Sequence, residues 1–263
     1  MEHIESYRLG VFLGLLCILV LLETFFERKE RVMPRQGRWT TNFIVTFANT
    51  ATVYAMSLVM PIMVVGAAIL AANHQIGVLH FIELPIWTEV LIAIVVLDFV
   101  IWAQHWLTHR VPVLWRLHRV HHSDRDIDVT SAIRFHPLEI AFSIFVKIAA
   151  IFLLGPVALA VVLFEILLNG MAMFNHANLA LPRWLDAVLR KVIVTPDMHR
   201  VHHSVYRAEH DHNFGFMLSI WDRIFQTYTA QPKDGHDDMV LGLTWQDDRP
   251  AKPLWTLLLP FQK

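Results

Sequence analysis

Long apolar runs alternate with shorter polar stretches along this chain, and the runs have lengths suited to crossing a bilayer. The first, Leu9 to Phe26, is interrupted only by Glu23 and ends at Glu27-Arg28-Lys29-Glu30-Arg31. Its start is acidic (Glu2, Glu5) and no small-residue cleavage site follows, so it reads as a retained anchor, not a secretory leader. Asn42 to Ala72 carries no formal charge. At about 1.5 Å per residue that exceeds one crossing, which predicts a long tilted helix kinked at Pro61 or a helix with an interfacial extension. A third run spans Val90 to Trp106, and a fourth region, Leu138 to Phe174, has Gly155-Pro156 at its middle. That dipeptide predicts two shorter helices joined by a tight turn, with Lys147 and Glu165 as charged interruptions.

The pattern predicts an all-α chain of about four membrane spans, the last pair a hairpin. The more polar stretches, Arg110 to Pro137 and Ala177 onward, form a helical cap. Pro253 to Phe261 is too short to span and is expected at the interface or on the cap. With no Gly/Ser linker and no low-complexity segment, residues 1–263 read as a single domain. Composition agrees: 55% apolar and 17% charged residues with mean hydropathy +0.45 mark an integral membrane protein. A net charge of −1 and the lack of a basic block exclude nucleic acid as a partner. The single cysteine, Cys17, excludes an internal disulfide and a cysteine-ligated iron–sulfur cluster, so a redox reaction here needs electrons from outside.

Three histidine clusters stand beside the apolar runs: His105-Trp-Leu-Thr-His109, His118-Arg-Val-His121-His122 and His199-Arg-Val-His202-His203. On a helix, positions i, i+3 and i+4 share a face, so each cluster projects its imidazoles in one direction. Eight imidazoles exceed the coordination number of one ion, which points to a two-metal centre built from three helical pieces. Charge then gives an orientation. Glu27 to Trp39 carries Arg28, Lys29, Arg31, Arg35 and Arg38, whereas Asn73 to Glu89 has no Lys or Arg, so the first loop is cytoplasmic and the amino terminus outside. The third run returns to the cytoplasm and delivers His105 there, and the hairpin dips in and back, so all three clusters share the cytoplasmic face.

HxxxH, HxxHH and HxxHH in this order, with a membrane hairpin between the second and third, resemble the fatty acid hydroxylase and sterol desaturase superfamily of integral membrane di-iron enzymes. Flanking residues are similar too: Leu114-Trp-Arg-Leu-His-Arg-Val-His-His-Ser123, Arg134-Phe-His-Pro-Leu-Glu139, Thr195-Pro-Asp-Met-His-Arg-Val-His-His-Ser204, Asn213-Phe-Gly, and Trp221-Asp-Arg-Ile-Phe225. The similarity covers roughly residues 90–230 and is closest to the bacterial sterol-desaturase-like branch, which implies a bacterial inner membrane. It implies that His105, His109, His118, His121, His122, His199, His202 and His203 bind two metal ions, with His176 adding a ligand from the end of the hairpin. Some members carry a second histidine four residues later, where this chain has Ala180. The implied activity is O2-dependent hydroxylation or desaturation of a C–H bond in a lipid such as a sterol or fatty acid. An unactivated C–H bond requires an oxidant that iron generates from O2 and zinc does not, so two irons are expected, with zinc possible in purified material. Ferredoxin or cytochrome with a reductase is the expected electron donor, docking on basic residues of the cap.

Groups that orient metal-bound imidazoles are expected nearby. Asp98, two helical turns before His105, is the first candidate, followed by Glu139, Asp197, Asp222, Asn178, His136 and His212. His210 and His212 are secondary ligand candidates, whereas His3, His74, His80 and His236 are expected outside the centre. A slot lined by Phe99, Trp102, Phe142, Phe145, Phe164 and Met173 is expected to hold apolar substrate. Two other classes remain. A zinc-dependent membrane hydrolase would use HExxH, but Trp106 and Arg119 stand where its Glu belongs. A non-catalytic metal-binding protein would place its ligands within the crossing helices.

Overall fold

A computed structural model describes residues 4–60 and 63–262, and among them the chain is helical, with isolated bridges and no strands. His3, Glu2 and the kink expected at Pro61 lie outside the described residues. Five stretches are long and apolar enough to cross a membrane: Ser6–Phe25, Arg35–Phe81, Ile86–Arg110, Pro137–Leu154 and Ala158–His176. The first is most of α1 (Ile4–Phe25), and the second contains α2 (Arg35–Val59) and α3 (Val64–Asn73). Leu13, Phe47, Tyr54, Leu91 and Leu153 are among many large apolar side chains left exposed, a surface that suits lipid and not water.

Helix α4 (Ile86–Arg110) ends where Val111 meets Pro112, which opens α5 (Pro112–His122). Proline has no N–H to continue a helix but fits its first position, so the chain turns sharply here and folds the second histidine cluster back onto the first. Proline starts α6 (Pro137–Leu154) in the same way, capped by His136, whose Nδ1 accepts from the Leu138 amide at 3.2 Å. The hairpin closes through Gly155 into α7 (Ala158–His176). Gly155 has φ +70 and Gly77 has φ +107, and a Cβ on Gly77 would lie 2.2 Å from the Gly155 nitrogen. Only glycine allows that backbone-to-backbone contact and those torsions together. The cap follows, with α8 (Arg183–Leu189) and α9 (Pro196–His202), the latter again opened by proline and capped by Thr195.

The cap is fastened to the bundle by buried charge. Arg35 and Arg38, expected in a cytoplasmic loop, lie in the first turns of α2, and Arg38 is fully buried. Its guanidinium donates to both Asp124 oxygens (2.7 and 2.8 Å) and to Asp128 (2.7 Å). Burial alone would raise the Asp128 carboxyl, but Arg38 and hydrogen bonds from Thr130 and Trp39 bring it down to about 2. Arg134 donates to the Val120 carbonyl (3.0 Å), Asn42 (2.8 Å) and Ser123 (3.0 Å), tying α5 to α2. Glu23, the lone charge in the first apolar run, accepts from the amides of Val129 (3.0 Å) and Asn178 (3.1 Å) and so pins α1 to the cap. The segment from Pro253 packs on α2, and Arg119 and Arg116 donate to the carbonyls of Leu259 and Pro260, each at 2.6 Å.

Candidate metal centre

Two groups of buried histidines form at the junction of α4, α5, α7 and α9. His105, His109, His118, His122 and His202 make one group, and His121, His176, His199 and His203 the other; within each, the ligand atoms all lie within 4.8 Å of one another. The two HxxHH segments are shared out in mirror fashion. The second cluster gives its i and i+4 residues, His118 and His122, to the first group and its i+3 residue, His121, to the second. The third cluster gives His199 and His203 to the second group and His202 to the first. Adjacent histidines diverge because a helix turns about 100° per residue, so neighbours in sequence join opposite groups. His105 and His109 complete the first group from one helix face, while His176 alone completes the second. Helix α7 ends at His176 and the chain becomes extended, with the Ala180 amide bonded to the Phe26 carbonyl (2.8 Å) and its side chain exposed. Position 180 therefore cannot mirror His109.

Hydrogen bonding sets the ring tautomers toward a cation. His105 Nδ1 lies 2.7 Å from the Phe214 carbonyl, His202 Nδ1 2.7 Å from the His212 carbonyl, and His176 Nδ1 2.7 Å from the Ala172 carbonyl. A carbonyl only accepts, so in each ring the proton sits on Nδ1 and Nε2 presents a lone pair. Glu139 in its carboxylate form does the same for His118 at 2.6 Å, and Asp211 faces His109 Nδ1 at 3.4 Å. His105 and His118 therefore aim two bare Nε2 atoms at each other across 3.0 Å. Two lone pairs at that separation repel unless a cation lies between them. His109 Nε2, His202 Nε2, His203 Nε2 and both His122 nitrogens are buried without a protein partner. Burial, reinforced by the neighbouring rings, pushes the pKa of His121, His122, His199, His202 and His203 well below the usual range, and that of His118 to about 3. Nine neutral, all-nitrogen donors in two compact groups fit two transition-metal ions. Glu139→Leu is expected to lower metal affinity or turnover about 10- to 100-fold while Glu139→Gln, which keeps an acceptor, loses less; metal titration of both variants checks this.

Asp98 does not reach a ring. Its carboxylate accepts from Trp221 Nε1 (2.8 Å) and the Leu218 amide (3.2 Å). Asp222 acts one step back, accepting from the Phe214 (2.9 Å) and Gly215 (2.8 Å) amides and from Trp102 (3.0 Å), and so holds the loop whose carbonyl orients His105. His136 spends both nitrogens on the backbone, Nδ1 at Leu138 and Nε2 at the Leu257 carbonyl (3.2 Å). Asn178 straps Lys29 to the end of α7, donating to its carbonyl (2.7 Å) and accepting from its amide (3.0 Å). His212 takes part through its carbonyl. His210 stacks on Trp115 (5.3 Å, 20°) beside His109 and His122, bonded to the Ser204 carbonyl. Asp197 pairs with Arg200 and Arg28, with His236 nearby. Asp211 carries no sequence signal beyond its place between His210 and His212.

A cavity of about 280 Å³ touches the first histidine group at His105 and His118. None of the six aromatic and methionine residues expected to line a slot lines it. Phe99 and Trp102 instead stack on Phe225 (5.8 and 4.5 Å), with Phe99 also packed at a tilt against Trp221 (5.1 Å), and Phe164 and Met173 pack into the bundle core. The face of α4 turned to the cavity is Ile101, Gln104, His105 and Thr108.

Residues 90–227 match the profile of the fatty acid hydroxylase family. Among curated proteins, the chain is 26% identical over 239 residues to the ornithine lipid hydroxylase OlsE of Rhizobium tropici, covering 89% of this chain and 70% of that protein. It is 32% identical over 148 residues to alkylglycerol monooxygenase of Homo sapiens, covering 56% of this chain and 31% of the relative. The counterpart from Danio rerio is 30% identical over 175 residues, 63% of this chain and 35% of its own length. The chain thus spans about a third of these monooxygenases. No solved structure matches.

Proposed function

The chain belongs to the fatty acid hydroxylase family, and from that premise we propose that it is a membrane-bound, O2-dependent oxygenase with two irons that hydroxylates a C–H bond of a lipid. The observation that carries this reading is the pair of bare Nε2 atoms of His105 and His118, 3.0 Å apart, beside a cavity within apolar helices. The five-histidine group would hold one iron and the four-histidine group the other, and iron supplies the activation of O2. The chain's own part is to keep nine imidazoles neutral by burial, to aim five of them through Nδ1 acceptors, and to exclude water with Phe135, Phe214 and Phe216. The reaction balances as RH + O2 + two electrons + two protons giving ROH + H2O. A separate ferredoxin or cytochrome, kept reduced by its reductase, supplies the electrons. The relatives' names, a lipid hydroxylase and monooxygenases, favour hydroxylation over desaturation.

Lipid profiling of cells with and without the protein, under labelled O2, tests the activity, with metal analysis of the purified protein beside it. Two irons per chain and a lipid that gains one oxygen from O2 are expected; stoichiometric zinc with hydrolytic turnover overturns the reading. We place the centre on the cytoplasmic face of a bacterial inner membrane. In a Cys17→Ser background, a cysteine at exposed Glu83 should label from outside, and cysteines at exposed Ala180 or Asp247 only after permeabilisation. Outside labelling at Ala180 contradicts the orientation.

A further inference from the structure

Among the described residues, Trp115 is the ring that joins the histidine groups to the outside of the cap. Phe214 and Phe216 also pack on those groups but are buried, and Phe135 faces the cavity. Trp115 is half-buried, yet its ring lies 4.8 Å from that of His109 and 5.3 Å from that of His122, both in the five-histidine group. His210 stacks on it and touches the same two histidines. The indoles of Trp102 and Trp221 spend their N–H groups on Asp222 and Asp98, whereas no described residue accepts from the Trp115 N–H, which is not buried.

The surface around this ring is basic. Arg116 and Arg119 follow Trp115 on α5, on its flank opposite His118 and His121, and Arg110 closes α4. Arg116 and Arg119 bond to carbonyls of the Leu259 to Gln262 segment, and Arg110 packs over the Trp106 ring; among the described residues none of the three pairs with a carboxylate. On the other side, exposed Arg207 opens α10 (Arg207–His210), and its partner Asp211 also faces His109. Exposed Val113 adds an apolar contact.

We propose that this face docks an acidic one-electron carrier protein and that Trp115 is where its electrons enter, passing on to His109 and His122. The proposal rests on the oxygenase reading above for the need of electrons. Each carrier is oxidised by one electron as one ferric ion becomes ferrous, so a turnover takes two encounters. Charge pairing suits such short-lived docking, because it speeds association more than it tightens the complex. Electron tunnelling falls steeply with distance, and the half-buried indole shortens the gap between carrier and histidines.

The probes are an acidic 2Fe–2S ferredoxin and a small acidic b-type cytochrome, each mixed with the full-length protein in nanodiscs. At least one should bind, and Arg110→Glu with Arg116→Glu should weaken that binding about tenfold or more at low salt and flatten its salt dependence. Arg110→Glu alone, at an exposed side chain, should show part of the loss and covers the case in which the double variant folds poorly. In anaerobic stopped-flow mixing of iron-loaded protein, Trp115→Leu should lower the ratio of carrier-driven to dithionite-driven reduction severalfold, with Trp115→Phe, which keeps a ring, in between. Binding of neither carrier, binding indifferent to the arginines, or a Trp115→Leu variant that slows both reductants in step overturns the docking assignment; lipid hydroxylation that persists then leaves the oxygenase reading standing. Arginine-dependent docking and Trp115-dependent reduction, with no lipid oxygenated in the profiling experiment, would uphold the docking face and overturn the oxygenase reading.

Discussion

Alanine in place of any one of His121, His122, His202 or His203 is expected to cut turnover by more than about 100-fold, beyond the usual cost of losing a supporting hydrogen bond around a metal-bound histidine. Metal content should fall below two per chain in each variant. The four divide between the groups, His122 and His202 in the larger, His121 and His203 in the smaller. Losing one of four ligands leaves three imidazoles, whereas losing one of five leaves a full tetrahedral set, so the His121 and His203 variants should release metal more readily. Elemental analysis of the purified variants together with product formation measures both effects. Retention of both metals and full turnover in all four variants would refute the two-metal reading.

The second large effect is on folding. Arg38→Met would leave Asp124 and Asp128 buried without their cation, and stranding buried charge in this way costs about 3–5 kcal/mol, a large share of the roughly 5–15 kcal/mol that holds a typical domain together. Arg38→Lys should fail to restore stability, because a lysine ammonium cannot span both oxygens of Asp124 and reach Asp128 as well. Thermal unfolding of the detergent-solubilised protein should show the loss, and an unchanged melting temperature for Arg38→Met would discount the network. The same pairs set an acid limit. The Asp128 carboxyl is held at about 2 in the fold, below its ordinary 3.8, so its contribution is present above about pH 4 and is lost as pH falls toward 2.

The histidine clusters were legible in the sequence because their spacing is a local property of one helix. The hairpin was legible through Gly155-Pro156, and the cap through its polarity. The partition of the ligands was not, since it depends on how α5 and α9 face each other across the centre. Nor were most of the groups that aim the rings. The carbonyls of Phe214, His212 and Ala172 carry no side-chain signal, and Asp211 reaches His109 across 102 positions. Asp98 had the helical register for a supporting role, yet its partners are Trp221 and Leu218, on a segment that packs against α4 only in the folded chain. Arg38 counted as one more positive charge near the membrane, because its carboxylates lie 86 and 90 residues away. The slot expected from aromatic residues does not form at those positions. Phe99 and Trp102 instead find ring partners in Trp221 and Phe225, and the cavity takes a more polar face of the same helix.

The interleaving of adjacent histidines constrains how metal enters and leaves. His121 and His122 belong to different groups, as do His202 and His203, so α5 and α9 could not move to release an ion from one group without disturbing the histidines of the other. An ion in the five-histidine group would fix α5 and α9 and with them three of the four histidines of the other group, His121, His199 and His203, so the two ions are expected to arrive cooperatively and leave together. A chelator should then strip the protein in one kinetic phase, with no long-lived form holding a single ion.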